Sequence, residues 1–593
     1  MDQSFSQETA TETNWVDREG HATAASVVDR IRSYSGSLLC ALLLAVMGLQ
    51  LLAVISRKSI TNDEVVSIPA GYYHLVDGNF HISIDHPPLT KMWAALPLLL
   101  IQPKEPTIEL RPSEDAQTRT VRAQAEFWKA NSADFKTISL WARVPMIALT
   151  LMLGLLIFIY TRQLFGPRAA VFAVALFTVE PTVLAHGRTA LNDLPAALGY
   201  LLFFFTLYAY LKTRNLRNAL FLGATAGLAM VIKFSLIVVA PIFICIAIVT
   251  IWIAPRCNVP RKRVAMWMGL ATLLALLVIN SAYYFQRQPP EESEFRWLSS
   301  IFSITQLPNV MKVVNVISVF VPSYFVTGVD AVLARNRYGQ PSSLLGMESN
   351  SGWVYYFPVA FALKTSLPFL LTSVGALFWA CWRFIAKREK QYLILLVPFG
   401  IYVAIAMSST IDIGIRHLLP AYPFLFILSG AFLDSLFRTN RTPQLMLVLV
   451  VLLSGWFAVE AVRAFPDHMS YMNELTWRHP RWYYLSDSNV EWGDDVAELA
   501  NYLHEQGETK VRASLLGGWA TLPYYGIEYI DAHVPDGVQL PDTRYIAIGA
   551  SFLNGSTTTI TKPGRRRIDY FAEYRDRVPE AVFGNSIYLY REK

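Results

Sequence analysis

A short segment after the first apolar run of this 593-residue chain is unusually rich in acidic and basic side chains. It begins with the pair Asp63-Glu64 and continues with Asp85-His86 and Lys91. For any one of these residues, a helix cap or an interfacial anchor explains the residue type as well as chemistry does. Together they supply a carboxylate that can take a proton from a hydroxyl and cations that can stabilise a departing anion. The segment therefore predicts general-base catalysis with an anionic leaving group.

The composition indicates that these residues belong to a membrane protein. Hydrophobic residues make up 53% of the chain and charged residues only 16%, whereas soluble domains carry about 25% charged residues. This excludes a disordered chain, a disulfide scaffold and a soluble multidomain enzyme. The net charge of +6 is small for this length, and the basic residues lie in loops, so no nucleic-acid partner is predicted.

Apolar runs of about 20 residues, enough to cross a bilayer, recur along the chain and predict about eleven transmembrane helices. They are expected near 36–56, 139–160, 168–186, 190–211, 218–232, 234–254, 264–285, 354–382, 392–408, 415–437 and 443–464. Pro358 and Pro368 interrupt the long run 354–382 and predict a kink or a tilt there. Lys233 and Lys364 stand at helix ends and are predicted to extend towards the interface rather than to catalyse.

The distribution of basic residues predicts the orientation. Five short loops on one side hold fifteen basic residues and one acidic residue, which places that side and residues 1–35 in the cytoplasm. Arg57 and Lys58, at the outer end of the first helix, are the exception. The predicted domains are a cytoplasmic N-terminus (1–35), a transmembrane catalytic domain (36–464) with outer loops 57–138 and 286–353, and an outer domain (465–593).

The C-terminal region has its own secondary-structure signals. Residues 493–506 predict an amphipathic helix, and the sequences KVRASLLG, RYIAIGAS and SIYLYR predict strands, so a small α/β domain is expected. None of the four cysteines lies in the large polar segments, which are therefore expected to lack disulfides. Three of them (Cys40, Cys245 and Cys381) fall in apolar runs, and Cys257 falls in a basic loop.

Several motifs carry a resemblance to a known family. The run Asp85-His86-Pro87-Pro88-Leu89-Thr90-Lys91, with the acidic pair before it, resembles the first lumenal loop of protein O-mannosyltransferases. It is similar, more loosely, to the lipid A aminoarabinose transferases; both belong to the polyprenyl-phosphate-sugar-dependent glycosyltransferases of the GT-C fold, in glycosyltransferase family 39. Further similar segments follow in order: 141–145, 188–195, 353–358 with 364–368, 413–420 and 486–495. The fold class that the resemblance implies is a polytopic α-helical membrane protein of GT-C type with an outer α/β C-terminal domain.

The resemblance also implies roles for residues of the first loop. Asp63 would be the catalytic base, and Glu64, about 100° away on a helix, a structural residue or the partner of an arginine. Arg143 would pair with that acid or bind the donor phosphate. His86 and Lys91 are further candidates for the phosphate, because an anionic leaving group needs fixed positive donors.

The later motifs supply the remaining candidates. Arg416 is the fourth phosphate candidate, and Asp85 and His417 are supporting residues, although a simple interfacial position explains a lone histidine such as His417 better. Asp193 matches the second acidic motif and either holds a metal or an arginine, or caps the fourth helix. The histidines lack the ligand spacing of a zinc centre, and a divalent cation is neither required nor excluded, so no metal or cofactor is predicted.

The predicted function is that of an inverting glycosyltransferase. It would move a sugar from a polyprenyl-phosphate carrier to a hydroxyl of a protein or glycolipid acceptor, on the outer face of a bacterial inner membrane. The polar 286–353 loop, with Arg335, Arg337, Tyr338 and Gly339, is expected to be a flexible cover for the site. The alternative is a transporter or flippase, which would place ionisable residues near the bilayer midplane; Glu180 is the nearest example in this chain.

Overall fold

The computed structural model of the chain describes residues 35–592 except 110, 112–113, 254–258, 289–293, 304, 440–442, 533–540 and 556–568. The predicted cytoplasmic segment 1–35, apart from its last residue, lies outside the described residues. Cys257 and the loop arginines Arg256 and Arg441 lie outside them as well.

Helices form most of the first 464 residues. The α-helices there are Ser35–Ile55, Asn62–Val76, Pro88–Ala95, Leu98–Ile101, Ala116–Ala130, Phe135–Phe165, Pro167–Val179, Pro181–His186, Asp193–Lys212, Leu216–Ile232, Val239–Ile248, Arg261–Ala282, Arg296–Ile301, Leu307–Phe320, Ser323–Tyr338, Tyr356–Lys364, Leu367–Lys387, Leu393–Met407, Tyr422–Thr439 and Pro443–Ala464. Tighter 3-10 turns include Phe234–Val238 and Ile415–Ala421.

The prediction of a multi-pass helical membrane protein is confirmed. Among the described residues, eight helices are long and apolar enough to cross a membrane, and each coincides with a predicted span. Two further predicted spans are the shorter apolar helices Pro167–Val179 and Leu216–Ile232, and the eleventh is the helix Pro443–Ala464.

Two predicted spans were wrong in detail. The run 354–382 is not one kinked helix but two helices, Tyr356–Lys364 and Leu367–Lys387, with Pro368 in the first turn of the second. Likewise, the run 168–186 is broken at Glu180, whose buried carboxylate accepts a hydrogen bond from Ser366 Oγ at 2.7 Å. Side chains from elsewhere in the chain thus satisfy backbone groups that a continuous helix would have paired internally.

The expectation of a flexible loop at 286–353 was also wrong. This region contains the helices Arg296–Ile301, Leu307–Phe320 and Ser323–Tyr338, followed by a hairpin of strands β1 (Ser342–Leu344) and β2 (Met347–Ser349). The last of the three helices runs to the site described below.

The C-terminal region contains a five-stranded mixed sheet, which includes the three strands that the sequence pattern predicts. Its strands are β3 (Lys510–Ser514), β4 (Glu528–Asp531), β5 (Tyr545–Gly549), β6 (Ala581–Phe583) and β7 (Ile587–Arg591). They lie in the order β4-β3-β5-β7-β6, with β3 parallel to β4 and β5, and β7 antiparallel to β5 and β6. The helix Val496–Glu505 buries Val496, Leu499, Ala500 and Leu503, one face of a 3.6-residue repeat, in the same apolar cluster as β3 and β5.

Residues Ser486–Asp495, which we call the linking segment, connect this sheet region to the membrane helices. Nine of its ten residues are buried. Its hydrogen bonds reach both the beginning of the helix Asn62–Val76 and the 3-10 turn Ile415–Ala421.

Candidate active site

A cavity of about 600 Å³ lies where the ends of several membrane helices meet. Its polar and charged lining comes from residues far apart in sequence: Asp63, Ser67, Ser83, Asp85, His86, Lys91, Asn192, Asp193, Lys233, Ser235, Arg335, Asn336, Arg416 and His417. Its apolar lining includes Phe234, Ile237, Val238, Ala240 and Pro241. The cavity thus combines a charged end with an apolar wall.

The helix Asn62–Val76 presents Asp63 to the cavity. The sequence Thr61-Asn-Asp-Glu64 has the pattern of a capping box, and the backbone N–H of Thr61 donates to Glu64 Oε2 at 2.8 Å. Asp63, in the first turn, keeps about a third of its side chain exposed (36%), and its Oδ2 accepts a hydrogen bond from Arg416 Nη1 at 2.8 Å. The carboxylate is therefore both oriented and accessible from the cavity.

Glu64 points away from the cavity and is fully buried. Its oxygens accept hydrogen bonds from Arg143 Nε at 2.7 Å and Nη2 at 2.6 Å, and also from the backbone N–H groups of Ala190 and Thr61. Burial by itself raises the pKa of Glu64, but Arg143 and these backbone donors more than reverse this and leave the pKa below its ordinary value. The carboxylate is therefore a charged structural group with no free position for a substrate proton.

The 3-10 turn Ile415–Ala421 carries Arg416 and His417, and both side chains line the cavity. Arg416 Nη1 lies 2.8 Å from Asp63 Oδ2 and 3.7 Å from Asp193 Oδ2, and so lies between two carboxylates. Asp193, the first residue of its helix, pairs with Lys233 Nζ at 2.5 Å through its other oxygen. Asp63, Arg416, Asp193 and Lys233 thus form a chain of alternating charges along the cavity.

A second group of polar residues faces the cavity from the region before the helix Pro88–Ala95. Lys91 is buried and donates from Nζ to Ser83 O at 2.5 Å and Ser83 Oγ at 3.1 Å. Burial lowers the pKa of Lys91 to about 8, although the nearby Asp85 carboxylate opposes this effect. His86 Nε2 lies 4.0 Å from Asp85 Oδ2.

Part of the apolar wall of the cavity belongs to a membrane span. Phe234, Ile237 and Val238 belong to the 3-10 turn that begins the membrane span Phe234–Trp252. Farther along this span Ile244 and Trp252 are exposed, by 56% and 65%. The wall is therefore built from the first turn of a span whose later residues include exposed apolar side chains.

The structure brings seven of the nine predicted site residues to one cavity: Asp63, Asp85, His86, Lys91, Asp193, Arg416 and His417. Glu64 and Arg143 do not line it. Arg143, a candidate for the donor phosphate, has a side chain that is 1% exposed and that binds Glu64 and the carbonyls of Lys58 and Ser59. Of the two roles that the sequence left open for Arg143, the geometry agrees with pairing to the acid.

Both lysines predicted to extend to the interface are buried instead. Lys233, 5% exposed, pairs with Asp193 in the cavity, and no local sequence signal links the two, because the partner lies forty residues earlier. Lys364, 2% exposed, donates to the carbonyls of Met469 and Asn489 at 2.6 Å each. The one sequence feature that distinguished these two lysines was their position at the end of an apolar run.

Arg335, predicted to be part of a flexible cover, lies instead near the end of the helix Ser323–Tyr338 and lines the cavity with Asn336. Asn336 Oδ1 accepts hydrogen bonds from Ser409 Oγ at 2.9 Å and from the Thr410 N–H at 3.1 Å. The end of this helix is thus fixed to the turn after the helix Leu393–Met407.

Among the described residues, one group of three acidic side chains brings its oxygens close enough together for a metal: Asp467, Asp495 and Glu498. The ammonium of Lys58 already lies among them, at 2.5, 2.5 and 2.7 Å. The group is therefore an internal salt-bridge cluster, and it explains why a lysine stands just after the first helix.

Comparison with known proteins bears on the predicted resemblance. The model of a family described as dolichyl-phosphate-mannose-protein mannosyltransferase matches residues 135–284, about a quarter of the chain. The matched residues include Arg143, Asp193 and Lys233, but not Asp63 or Arg416. The predicted resemblance to this family of glycosyltransferases is confirmed. No curated protein sequence matches the chain.

Two solved structures show a distant similarity to the whole chain. The ArnT protein of Cupriavidus metallidurans bound to undecaprenyl phosphate has a TM-score of 0.46 and 12% identity, over 93% of this chain and 97% of that one. The oligosaccharyltransferase of Archaeoglobus fulgidus in complex with Zn and sulfate has a TM-score of 0.44 and 12% identity, over 86% of this chain and 69% of that one. At this level of similarity, neither protein indicates what this chain binds.

Proposed function

We propose that the cavity transfers a sugar from a polyprenyl-phosphate carrier to an acceptor hydroxyl. The observation that carries this proposal is the position of Asp63: a partly exposed carboxylate, oriented by Arg416, at the charged end of a cavity whose other wall is apolar. A lipid-linked donor has the same two-part character, a phosphate-sugar head and a hydrocarbon tail. The family match over residues 135–284 supports the same class of reaction.

In the proposed reaction Asp63 acts as the general base. The acceptor hydroxyl gives its proton to the carboxylate while its oxygen attacks C1 of the sugar. The bond between C1 and the phosphate oxygen breaks, and its electron pair leaves with the phosphate. Attack from the face opposite the leaving group inverts the configuration at C1.

The cationic side chains of the cavity would hold the departing phosphate. Arg416, Lys233 and Lys91 line the same space as Asp63, and His86 adds a ring that can donate a hydrogen bond. Fixed donors aimed at a developing negative charge lower the barrier, because they need no reorientation during the reaction. Arg416 would act twice, since it also holds the Asp63 carboxylate in place.

The sequence supports an outer location for the cavity. The positive-inside rule assigns the five basic loops to the cytoplasm. The first loop and the C-terminal region lie at the opposite ends of the helices. We propose that the cavity opens on the outer face of a bacterial inner membrane, and that the acceptor is a protein or a glycolipid there.

The test is sugar release from radiolabelled polyprenyl-phosphate sugars by the purified protein, in which wild type is compared with Asp63→Asn. We expect wild type to consume a donor and Asp63→Asn to lose at least about 10²-fold in kcat, the scale of a general base. Asp134→Asn, which removes an exposed carboxylate before the helix Phe135–Phe165, is the control and should retain wild-type turnover.

Two results would contradict the proposal. Equal turnover by wild type and Asp63→Asn would mean that Asp63 is only a helix-end residue, and that the base is Asp85 or Asp193, the other carboxylates of the cavity. A folded wild type that consumes no donor with any acceptor would favour the transporter, and a flux assay would follow.

A further inference from the structure

One residue of the linking segment, Trp492, contacts both Arg416 and the backbone next to Asp63. The indole ring of Trp492 lies 4.1 Å from the guanidinium carbon of Arg416, in cation–π contact. The backbone carbonyl of Trp492 accepts a hydrogen bond at 2.7 Å from the N–H of Asn62, the neighbour of Asp63. Trp492 is 1% exposed and does not itself line the cavity.

Other residues of the segment fix the backbone just before Arg416. Ser488 Oγ donates to the carbonyl of Ile413 at 2.8 Å, and Asn489 Oδ1 accepts from the N–H of Ile415 at 3.0 Å. Gly414 lies between these two contacts, and a Cβ there would come within 2.2 Å of Ser488 Oγ. The approach is therefore closer than any other residue type at position 414 would permit.

The segment is fixed in the same way on the side of Asp63. The N–H of Ser59 donates to the carbonyl of Asp494 at 2.8 Å. Gly493, between Trp492 and Asp494, has a φ of +94°, in the region that favours glycine. This conformation lets the carbonyls of Trp492 and Asp494, on either side of Gly493, accept hydrogen bonds from Asn62 and Ser59.

The far side of the segment is anchored in the C-terminal sheet region. Glu491 is buried, and its two oxygens accept hydrogen bonds from the N–H groups of Leu516 at 2.8 Å and Ser551 at 2.9 Å. Asp495 accepts a hydrogen bond from the hydroxyl of Ser586, directly before β7. The ten residues are thus held on both sides and can act as a rigid support.

We propose that Trp492 is a positioning residue for the reaction: its indole face holds the Arg416 guanidinium in the orientation that pairs it with Asp63 and aims it at the leaving phosphate. An unsupported arginine side chain has many rotamers, and the stacked ring removes most of them. Stacking uses the face of the guanidinium and leaves its N–H edge for the carboxylate and the phosphate. This inference rests on the proposed function, because it assigns Trp492 to that reaction.

The proposal predicts an effect on kcat rather than on donor binding. If Arg416 acts mainly on charge that develops as the phosphate leaves, misplacing it lowers kcat and leaves the donor KM nearly unchanged. We expect Trp492→Leu, which keeps an apolar group but removes the ring, to lower kcat by about 10- to 100-fold with KM within about threefold. Trp492→Phe, which keeps an aromatic face, should retain kcat within about fivefold.

Two further variants separate positioning from general loss of structure. In an Arg416→Gln background, Trp492→Leu should have no further effect on kcat, because the group that it positions is gone. Trp379→Leu is the matched control: Trp379 also lies beside an arginine, 5.8 Å from the Arg383 guanidinium carbon, but outside the cavity. It should leave kcat within about twofold of wild type.

Three results would overturn the proposal: a Trp492→Leu kcat within twofold of wild type, an equal loss in Trp492→Phe, or the same fold-loss in the Arg416→Gln background. If wild type consumes no donor, the proposed function fails, and the inference is then tested without turnover. Ring currents of the indole should shift the Arg416 Nε–H proton upfield in an NMR spectrum, with the signal assigned from its loss in Arg416→Gln. Loss of that shift in Trp492→Leu and its retention in Trp492→Phe would support the contact, whereas an unchanged shift in Trp492→Leu would refute it.

Discussion

Two adjacent carboxylates of this chain have opposite environments. Asp63 is partly exposed and has one strong partner, whereas Glu64 is fully buried and accepts hydrogen bonds from four donor atoms. The offset of about 100° between neighbouring residues of a helix puts one side chain in the cavity and the other in the protein interior. The difference in role thus follows from position on the helix and not from residue type.

Lys91 gives a prediction that depends on pH. Because burial lowers its pKa to about 8, the ammonium is mostly charged at pH 7 and mostly neutral at pH 9. The donor is a phosphodiester, whose charge is constant over this range. If Lys91 binds the phosphate, the donor KM should therefore rise by at least about fivefold between pH 7 and pH 9, since a hydrogen bond to a charged group contributes about 1.5–3 kcal/mol.

The measurement is the donor KM at half-unit pH intervals. Lys91→Arg, whose charge does not titrate in this range, should flatten the profile, while the exposed Lys129→Arg should keep the wild-type rise. A wild-type KM that is constant from pH 7 to pH 9 would show that Lys91 does not hold the phosphate in its charged form.

At the scale of the elements, the site is built at the N-terminal ends of helices. Asp63 and Asp193 lie in the first turns of their helices, and Arg416 lies on a 3-10 turn before another helix. A first turn has free N–H groups and a positive dipole end, which favours a carboxylate there. The same ends also converge in space, so residues distant in sequence share one cavity.

The Lys58 cluster joins the end of the first helix to the C-terminal region. Burial alone lowers the pKa of Lys58, but the carboxylates of Asp495, Asp494, Asp467 and Glu498 more than reverse this and hold the pKa above its ordinary value. The ammonium thus remains charged and neutralises acids from two other parts of the chain.

Lys58→Met should therefore destabilise the protein, by about 3–5 kcal/mol as for other buried pairs that lose one partner. Burial already holds the pKa of Glu498 above its ordinary value, and loss of the ammonium, which lowers this pKa, raises it further. The folded variant therefore binds more protons than the unfolded one. Its stability is then largest at low pH and is lost as pH increases. The deficit in Tm relative to wild type should be clearly larger at pH 8 than at pH 5.

Thermal unfolding in lipid nanodiscs at the two pH values measures this difference. Arg57→Met removes the same charge from the exposed neighbouring residue and should change Tm by no more than about a degree, because exposed charges contribute little. An equal deficit for Lys58→Met at both pH values would show that the acids are neutralised by something other than Lys58.

At the scale of the whole molecule, the C-terminal region contacts residues of the site but does not line the cavity. The linking segment, which contacts the site, continues directly into the helix that packs on the sheet. The C-terminal region is therefore connected structurally to the cavity, and the side of the membrane that it occupies decides from which side an acceptor arrives.

Cysteine labelling can determine that side. In a background with its four native cysteines replaced, Val578→Cys at a residue 91% exposed should react with a membrane-impermeant maleimide in intact cells. Gln391→Cys, at an exposed residue of the 3-10 turn Lys390–Tyr392 that begins a membrane span, should react only after permeabilisation. The reverse labelling pattern would show that the cavity faces the cytoplasm.

Hydropathy and residue pattern alone predicted the class of protein. The apolar runs predicted the positions of the spans, because a helix needs about 20 apolar residues to cross a bilayer, independently of the rest of the chain. Alternating and helical patterns predicted one helix and three strands of the C-terminal region. These features depend on local sequence, which is why they could be predicted without any tertiary contact.

The same local patterns explain the errors. A long apolar run such as 354–382 is compatible with a single span. Pro368 favours a break locally. Glu180 and Asn473, both distant in sequence, bind the hydroxyl of Ser366 and the carbonyl of Thr365 at that break. The 286–353 region is polar enough to suggest a loop, but its helices pack on elements that a local pattern does not contain.

The charged residues show most clearly what the sequence determined and what the tertiary structure determined. The sequence by itself identified Asp63, His86, Lys91 and Arg416 as candidates, since their types and motif positions are unusual at membrane helix ends. Only the tertiary structure decided the pairing: Glu64 with Arg143, Asp193 with Lys233, and Asp63 with Arg416 supported by Trp492. The physical reason is that a buried charge must find an opposite charge wherever the fold places one, and that partner can lie hundreds of residues away.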